Sequence, residues 1–118
     1  MSNIGIILAA ALASLAGSDW GPEADGKPDR YIQFKESDVA GDGGCNGFGG
    51  RYTFDGNAIK IGPLVSTRMA CEPGVMDAEQ AWFRLLECAN SAEATPTTLV
   101  LKDGNGTVIA TLRRRDGD

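Results

Sequence analysis

Short stretches of the chain alternate apolar and polar residues with a period of two. Tyr31-Ile32-Gln33-Phe34 is rich in β-formers and predicts a strand. Tyr52 and Phe54 fall on one face of a second strand, with Arg51 and Thr53 on the other. Asp55-Gly56-Asn57 is a turn signal, and Ile59 and Ile61 alternate with Lys60 beyond it, which predicts a hairpin. Gly62-Pro63 breaks that strand, and Leu64 to Cys71 reads as a further extended segment ended by Glu72-Pro73-Gly74. Thr97–Lys102 and Thr107–Arg113 predict a second hairpin around Asp103-Gly104-Asn105-Gly106. Leu99 and Leu101 share a face of its first strand; Val108, Ala110 and Leu112 share a face of its second. Nearer the start, Trp20 opens a short strand, with Gly21 to Asp29 as strand end and loop. Asp38 to Gly43 reads as a glycine-weakened strand or turn.

One stretch follows the helical period instead. From about Ala78 to Ala89, residues Ala78, Trp82, Leu85, Leu86 and Ala89 form an apolar stripe, and Glu79, Arg84 and Glu87 are expected to face away. Asp77 is the expected N-cap, with Gln80 completing a pattern like a capping box. Strands, one helix and a closing hairpin indicate an antiparallel α+β fold, not alternating βα units.

The first sixteen residues differ from the rest. Ile4 to Ala16 is uncharged and apolar and stops before Gly17-Ser18-Asp19. It is short of the roughly 20 apolar residues a membrane-spanning helix needs. Its length suits a signal peptide, with Ser14-Leu15-Ala16 as the small-residue cleavage region, although no Lys or Arg precedes it. The competing reading is a buried element of the domain. The expected division is an apolar leader over 1–16 and a domain over 17–118, in a periplasmic or secreted protein.

Charge and composition narrow the chemistry. The 118 residues suit one domain with one modest core, and 42% hydrophobic with 23% charged residues is an ordinary globular balance. A net charge of −5 argues against nucleic acid, whose phosphates need a basic face. Arg113-Arg114-Arg115 is followed at once by Asp116 and reads as the solvated end of a strand. Histidine is absent, which removes the commonest general base and metal ligand. Without His or a C-x-x-C pair, neither a zinc site nor a bound cofactor is expected. No base stands ready for a nucleophilic Cys or for Ser66. Asp38 and Asp42 could form a carboxylate pair, but their glycine-rich setting suits turn geometry. The expectation is a non-enzyme. Of Cys45, Cys71 and Cys88, the first two sit in irregular, turn-bounded segments where a disulfide can form if the protein is exported. Cys88, beside the apolar stripe, reads as a buried free thiol. Gly41, Gly43, Gly44, Gly47, Gly49 and Gly50 bracket Cys45 and Asn46 and imply chain packed close against them.

Gly44-Cys45-Asn46-Gly47-Phe48-Gly49-Gly50-Arg51-Tyr52 resembles the G-C-N-x-F-x-G-x-Y signature of META/HslJ-like domains. Ile61-Gly62-Pro63-Leu64 and Thr67-Arg68-Met69-Ala70-Cys71 resemble that family's I-G-x-[LI] and T-x-M-A-C segments. Glu79, Phe83 and Leu86, then Leu99 to Asp103, continue in the same order, and Trp20 stands where such domains carry a Trp in their first strand. The likeness covers roughly 17–115. It implies an antiparallel curled sheet or cracked barrel with a helix packed across it. It implies a bacterial envelope protein associated with heat or antibiotic stress, in a family without established enzymatic activity. It makes Cys45 with Cys71 the specific disulfide pair, Cys88 being left out, and marks Gly44, Asn46, Gly47, Phe48, Gly50, Tyr52, Thr67, Arg68 and Met69 as motif positions. The leader has no cysteine at its end, so a lipid anchor is not expected. Two functions follow as expectations: a monomeric, non-catalytic envelope domain acting through a protein partner, or a carrier whose curled sheet holds a small apolar ligand against Tyr52, Phe54, Ile59, Trp82 and Leu101.

Overall fold

The computed structural model describes residues 11–22 and 30–115. Most of the apolar leader and the loop expected after Pro22 lie outside them. The elements run β1 (Ser18–Pro22), β2 (Arg30–Phe34), β3 (Asp38–Gly43), β4 (Gly47–Asp55), β5 (Ala58–Ile61), β6 (Val65–Ser66), α1 (Pro73–Cys88), β7 (Ser91–Ala94), β8 (Thr98–Lys102) and β9 (Val108–Arg114).

Eight strands form a closed antiparallel ring, β1-β2-β3-β4-β5-β7-β8-β9, in which β9 returns to β1 with Trp20 opposite Arg114 and Pro22 opposite Leu112. The fold is thus α+β, as the sequence predicts. The sheet is closed, however, and not the curled sheet or cracked barrel expected. Closure removes the edges of all eight ring strands. β6 alone lies outside, paired to β4 with Phe48 opposite Ser66 and Gly49 opposite Val65.

Trp20, Ile32, Phe34, Leu86, Leu99 and Leu101 are fully buried. An eight-stranded barrel is just wide enough for side chains to fill its interior, and these do so. Tyr52, Ile59, Ile61, Trp82 and Phe83 complete the same cluster. From the end of the apolar run, Leu15 is 1% exposed within this core and Leu12 packs against it. Leu12 N–H also donates to Ala94 C=O at 2.8 Å. Trp20 Nε1–H donates to Ser18 Oγ at 2.7 Å, and Ser18 Oγ–H in turn to Leu15 C=O, so the polar groups beside Leu15 are satisfied.

Several expectations are corrected. The helix begins at Pro73, five residues before Ala78, with Glu72 rather than Asp77 at its N-cap; Pro73 occupies the first helical position, where its missing N–H costs nothing. Cys88 is exposed, not buried. Of Leu64 to Cys71, only Val65–Ser66 pairs as strand. Ser91–Ala94 forms an additional strand, β7, with Ala92 and Ala94 buried. In the last hairpin a register shift at Leu101/Lys102 sets Val108 opposite Lys102 and Ala110 opposite Leu101. This bulge turns Val108 to solvent, away from the face it would otherwise share with Leu112.

Candidate functional site

The turn from β3 to β4 is Gly44-Cys45-Asn46, and Gly44 adopts φ +110°, a conformation other residues rarely tolerate. Asp42 Oδ1 accepts the Gly44 N–H at 2.8 Å, the turn-forming role its composition predicts. Cys45 is joined to Cys71 by a disulfide across 26 positions, with Cα atoms 6.2 Å apart. The chain-entropy effect of closing such a loop is roughly 3 to 4 kcal/mol.

The centre of the site is Glu79, which is 2% exposed and points from α1 into this turn. Its Oε2 accepts the backbone N–H groups of Cys45 at 3.0 Å and Asn46 at 2.5 Å, and its Oε1 accepts Asn46 Nδ2–H at 2.8 Å. Asn46 is saturated. Its Nδ2 also donates to Met69 C=O at 3.3 Å, and its Oδ1 accepts Thr67 Oγ1–H at 2.8 Å and Met69 N–H at 2.6 Å. One carboxylate and one amide therefore hold three separated segments together. The apolar stripe through Ala78 and Trp82 puts Glu79 on the solvent face, and the structure overturns that. Glu79, Trp82, Phe83 and Leu86 stand at i, i+3, i+4 and i+7 and form the buried stripe. A charged residue at an apolar stripe position was the available signal. Gly43 is its complement, because a Cβ there would lie 2.5 Å from Glu79 Cγ.

The motif residues divide between two places. Gly44, Cys45, Asn46, Gly47, Thr67 and Met69 meet at the turn, with Gly47 C=O accepting Thr67 N–H at 3.0 Å. Phe48 packs edge-on against Phe83 with ring centroids 5.1 Å apart, and Gly50 lies against Pro63 and Leu64. Tyr52 is elsewhere. It packs edge-on against Phe34 and donates its hydroxyl to Lys35 C=O at 2.6 Å. Burial raises the Tyr52 pKa above its ordinary value, and the nearby Glu36 charge adds to the effect. Trp82 is in the core, and its Nε1–H has no partner among the described residues. Asp38 pairs across strands with Arg51 at 3.4 Å on an exposed face.

Beside the turn runs an open groove of about 760 Å³ between the 64–70 segment and α1, with buried Asn46, Glu79 and Phe83 among its lining residues. Val65 (73% exposed) and Met69 (60%) line one wall and Met76 (37%) the other. Val75 (39%) precedes Met76 in the first turn of α1 and is not part of the groove lining. Arg68 and Arg84 also line the groove. Among the described residues no group of three or more His, Cys, Asp or Glu could hold a metal, and no helix is long and apolar enough to cross a membrane.

Residues 12–116 match the family model of the META domain. No curated protein matches the chain. An NMR structure of a protein from Burkholderia xenovorans is similar, with a TM-score of 0.69 and 23% identity over 86% of this chain and 84% of that one. A second NMR structure is similar with a TM-score of 0.56 and 21% identity over 86% and 90% of the two chains. At these identities the likeness concerns the fold.

Proposed function

This chain belongs to the META domain family, and we propose that it is a non-catalytic, exported domain that supports stress tolerance by binding a protein partner along the groove beside α1. The observation that carries this reading is the distribution of exposed apolar side chains. Of the five large ones among the described residues, Val65, Met69 and Met76 line the groove, Val75 is next to Met76 in α1, and Val108 lies elsewhere. Contiguous apolar surface rimmed by polar groups marks interaction sites, and methionine suits surfaces that adapt to a partner.

The site's chemistry supports binding over catalysis. Both Glu79 oxygens and all four Asn46 positions are occupied within the fold, so these buried groups position the groove wall. The disulfide holds the far end of the same wall, and a wall fixed beforehand loses less entropy on binding. The cross-link is consistent with an oxidising compartment, which supports export. A carrier would need the interior space that Trp20, Phe34, Leu99 and Leu101 fill.

The test is a photo-crosslinking residue placed at Met69 and, as a control, at exposed Val108, in cells of the native host. A reproducible partner recovered from Met69 and not from Val108 is expected. Recovery from neither position, or equally from both, overturns the reading.

A further inference from the structure

Resting on the reading that this groove binds a protein, we propose how and what it binds: an extended segment of about five residues, alternating apolar and acidic, added as a strand to the open edge of β6. The argument begins with register. Val65 lies opposite Gly49 and Ser66 opposite Phe48, and the next residue, Thr67, donates its N–H to Gly47 C=O. In an antiparallel pair, residues alternate between bonding their partner and facing away from it. Val65 and Thr67 therefore turn their backbone groups to β4, and Ser66 turns its own outward.

The alternation continues past both ends of β6. Met69 N–H goes inward to Asn46 Oδ1 at 2.6 Å, whereas Leu64 N–H goes outward to Glu87 Oε2 on α1 at 2.8 Å. A helix carboxylate is thus already bonded to one end of this edge. Beyond it, the outward backbone groups of Ser66 and Arg68 have no partner among the described residues. They are two residues apart, the repeat with which a strand edge receives another strand.

The walls set the length and the chemistry. From Met76 to Glu87 the helix advances about 16 Å, which matches about five residues of extended chain. Val65, Met69 and Met76 offer apolar contact. The groove's ionised groups are not balanced in availability. Glu79 and Glu87 already accept N–H donors, whereas Arg68 and Arg84 make no hydrogen bond or ion pair with any described residue. Three carboxylates, Asp77, Glu79 and Glu87, also line the groove, so the preference is local. The two guanidinium groups without a partner among the described residues, Arg68 and Arg84, favour carboxylates placed directly against them, which Arg binds in bidentate fashion. A second copy of the domain fits less well. Its own β6 segment, Leu64-Val65-Ser66-Thr67-Arg68, carries no carboxylate to meet Arg68 and Arg84.

The experiment selects a phage-displayed library of random heptapeptides against the full-length protein. Sequences that alternate apolar and acidic residues are expected, and synthetic versions are expected to perturb the Ser66 and Arg68 amide resonances. N-methylation of the alternate amides that face β6 should weaken binding by about ten-fold or more, and methylation of the other set should not. The double variant Arg68→Ala, Arg84→Ala should weaken binding comparably while leaving the amide spectrum of the free protein folded. No enrichment, basic consensus sequences, or equal tolerance of both methylation patterns overturns strand addition. Those results leave partner binding standing if Met69 still crosslinks a partner, and remove that reading too if it does not.

Discussion

Glu79 and Asn46, thirty-three positions apart, are joined by two hydrogen bonds, from the Asn46 backbone N–H to Oε2 and from its Nδ2–H to Oε1. Every hydrogen bond to the carboxylate comes from an N–H donor. Glu79→Gln replaces one acceptor oxygen with an NH₂ group facing such a donor. The variant is expected to lose about 1 to 3 kcal/mol in urea unfolding, the cost of leaving a buried donor unpaired. A change below about 0.5 kcal/mol would remove Glu79 from the centre of the site.

Gly43 tests the same contact from the other side. Its φ is not positive, so alanine is conformationally allowed, and the cost of Gly43→Ala reports the encounter with Glu79 at 2.5 Å. A loss of about 1 to 3 kcal/mol is expected. In a double-mutant cycle the same substitution should cost clearly less in a Glu79→Ala background. Additive costs would mean that something other than Glu79 requires glycine here.

The cysteines give a counting experiment. Alkylation of the folded, unreduced protein should label Cys88 alone, and reduction in denaturant should expose all three thiols. The paired variant Cys45→Ser, Cys71→Ser should lose roughly 3 to 4 kcal/mol. Labelling of three thiols without reduction would refute the cross-link.

Tyr52 makes stability depend on alkaline pH. Because its folded pKa is raised above the ordinary 10.0, its contribution is complete below that value and is lost as pH rises through the folded pKa. Tyr52→Phe also loses the hydrogen bond to Lys35 C=O, about 1 kcal/mol at neutral pH. Thermal unfolding from pH 8 to 11 should show the wild type losing its advantage over the variant above pH about 10. Parallel curves would disprove the assignment.

Leu15 connects the apolar run to the barrel. Leu15→Ala should cost about 2 to 5 kcal/mol by chemical denaturation, as for other buried leucines. A mutation without effect would mean that this position lies outside the folded unit. The intact mass of protein recovered from its host then tells whether Leu15 is retained, because cleavage after Ala16 would remove it.

The strands were legible where alternation was regular. Ile59 and Ile61, and Leu99 and Leu101, are buried as their spacing predicts. The strand β7 escaped notice because Ser91-Ala92-Glu93-Ala94 alternates with small residues of low β-propensity, and its place comes from pairing with β8. Pro73-Gly74 reads as a breaker and so sets the expected helix start too late, although proline is also a good first helical residue. Glu79 is hidden for a separate reason: the apolar line through Ala78, Trp82, Leu85 and Ala89 passes beside the buried line, which runs through Glu79, Trp82, Phe83 and Leu86. The bulge near Lys102 was invisible for a related reason: one extra residue reverses which side chains face inward. The family motifs located Asn46, Thr67 and Met69 but not their hydrogen bonds, which depend on chain brought from far along the sequence.

The ring is continuous, yet its joints are unequal. Five residue pairs join β3 to β4, whereas β5 meets β7 in the single pair Ala58–Ser91, where the chain departs to form β6 and α1. Two amides latch this seam, Ile59 N–H to Asn90 C=O at 3.1 Å and Ala92 N–H to Asn57 C=O at 2.8 Å. Such a barrel breathes at its latch, opening there at lower free energy than at its long hairpins. The segment that opens onto the groove is the chain running directly on from β5. Occupancy of the groove would therefore register at a distance, as slower hydrogen exchange at Ile59 and Ala92.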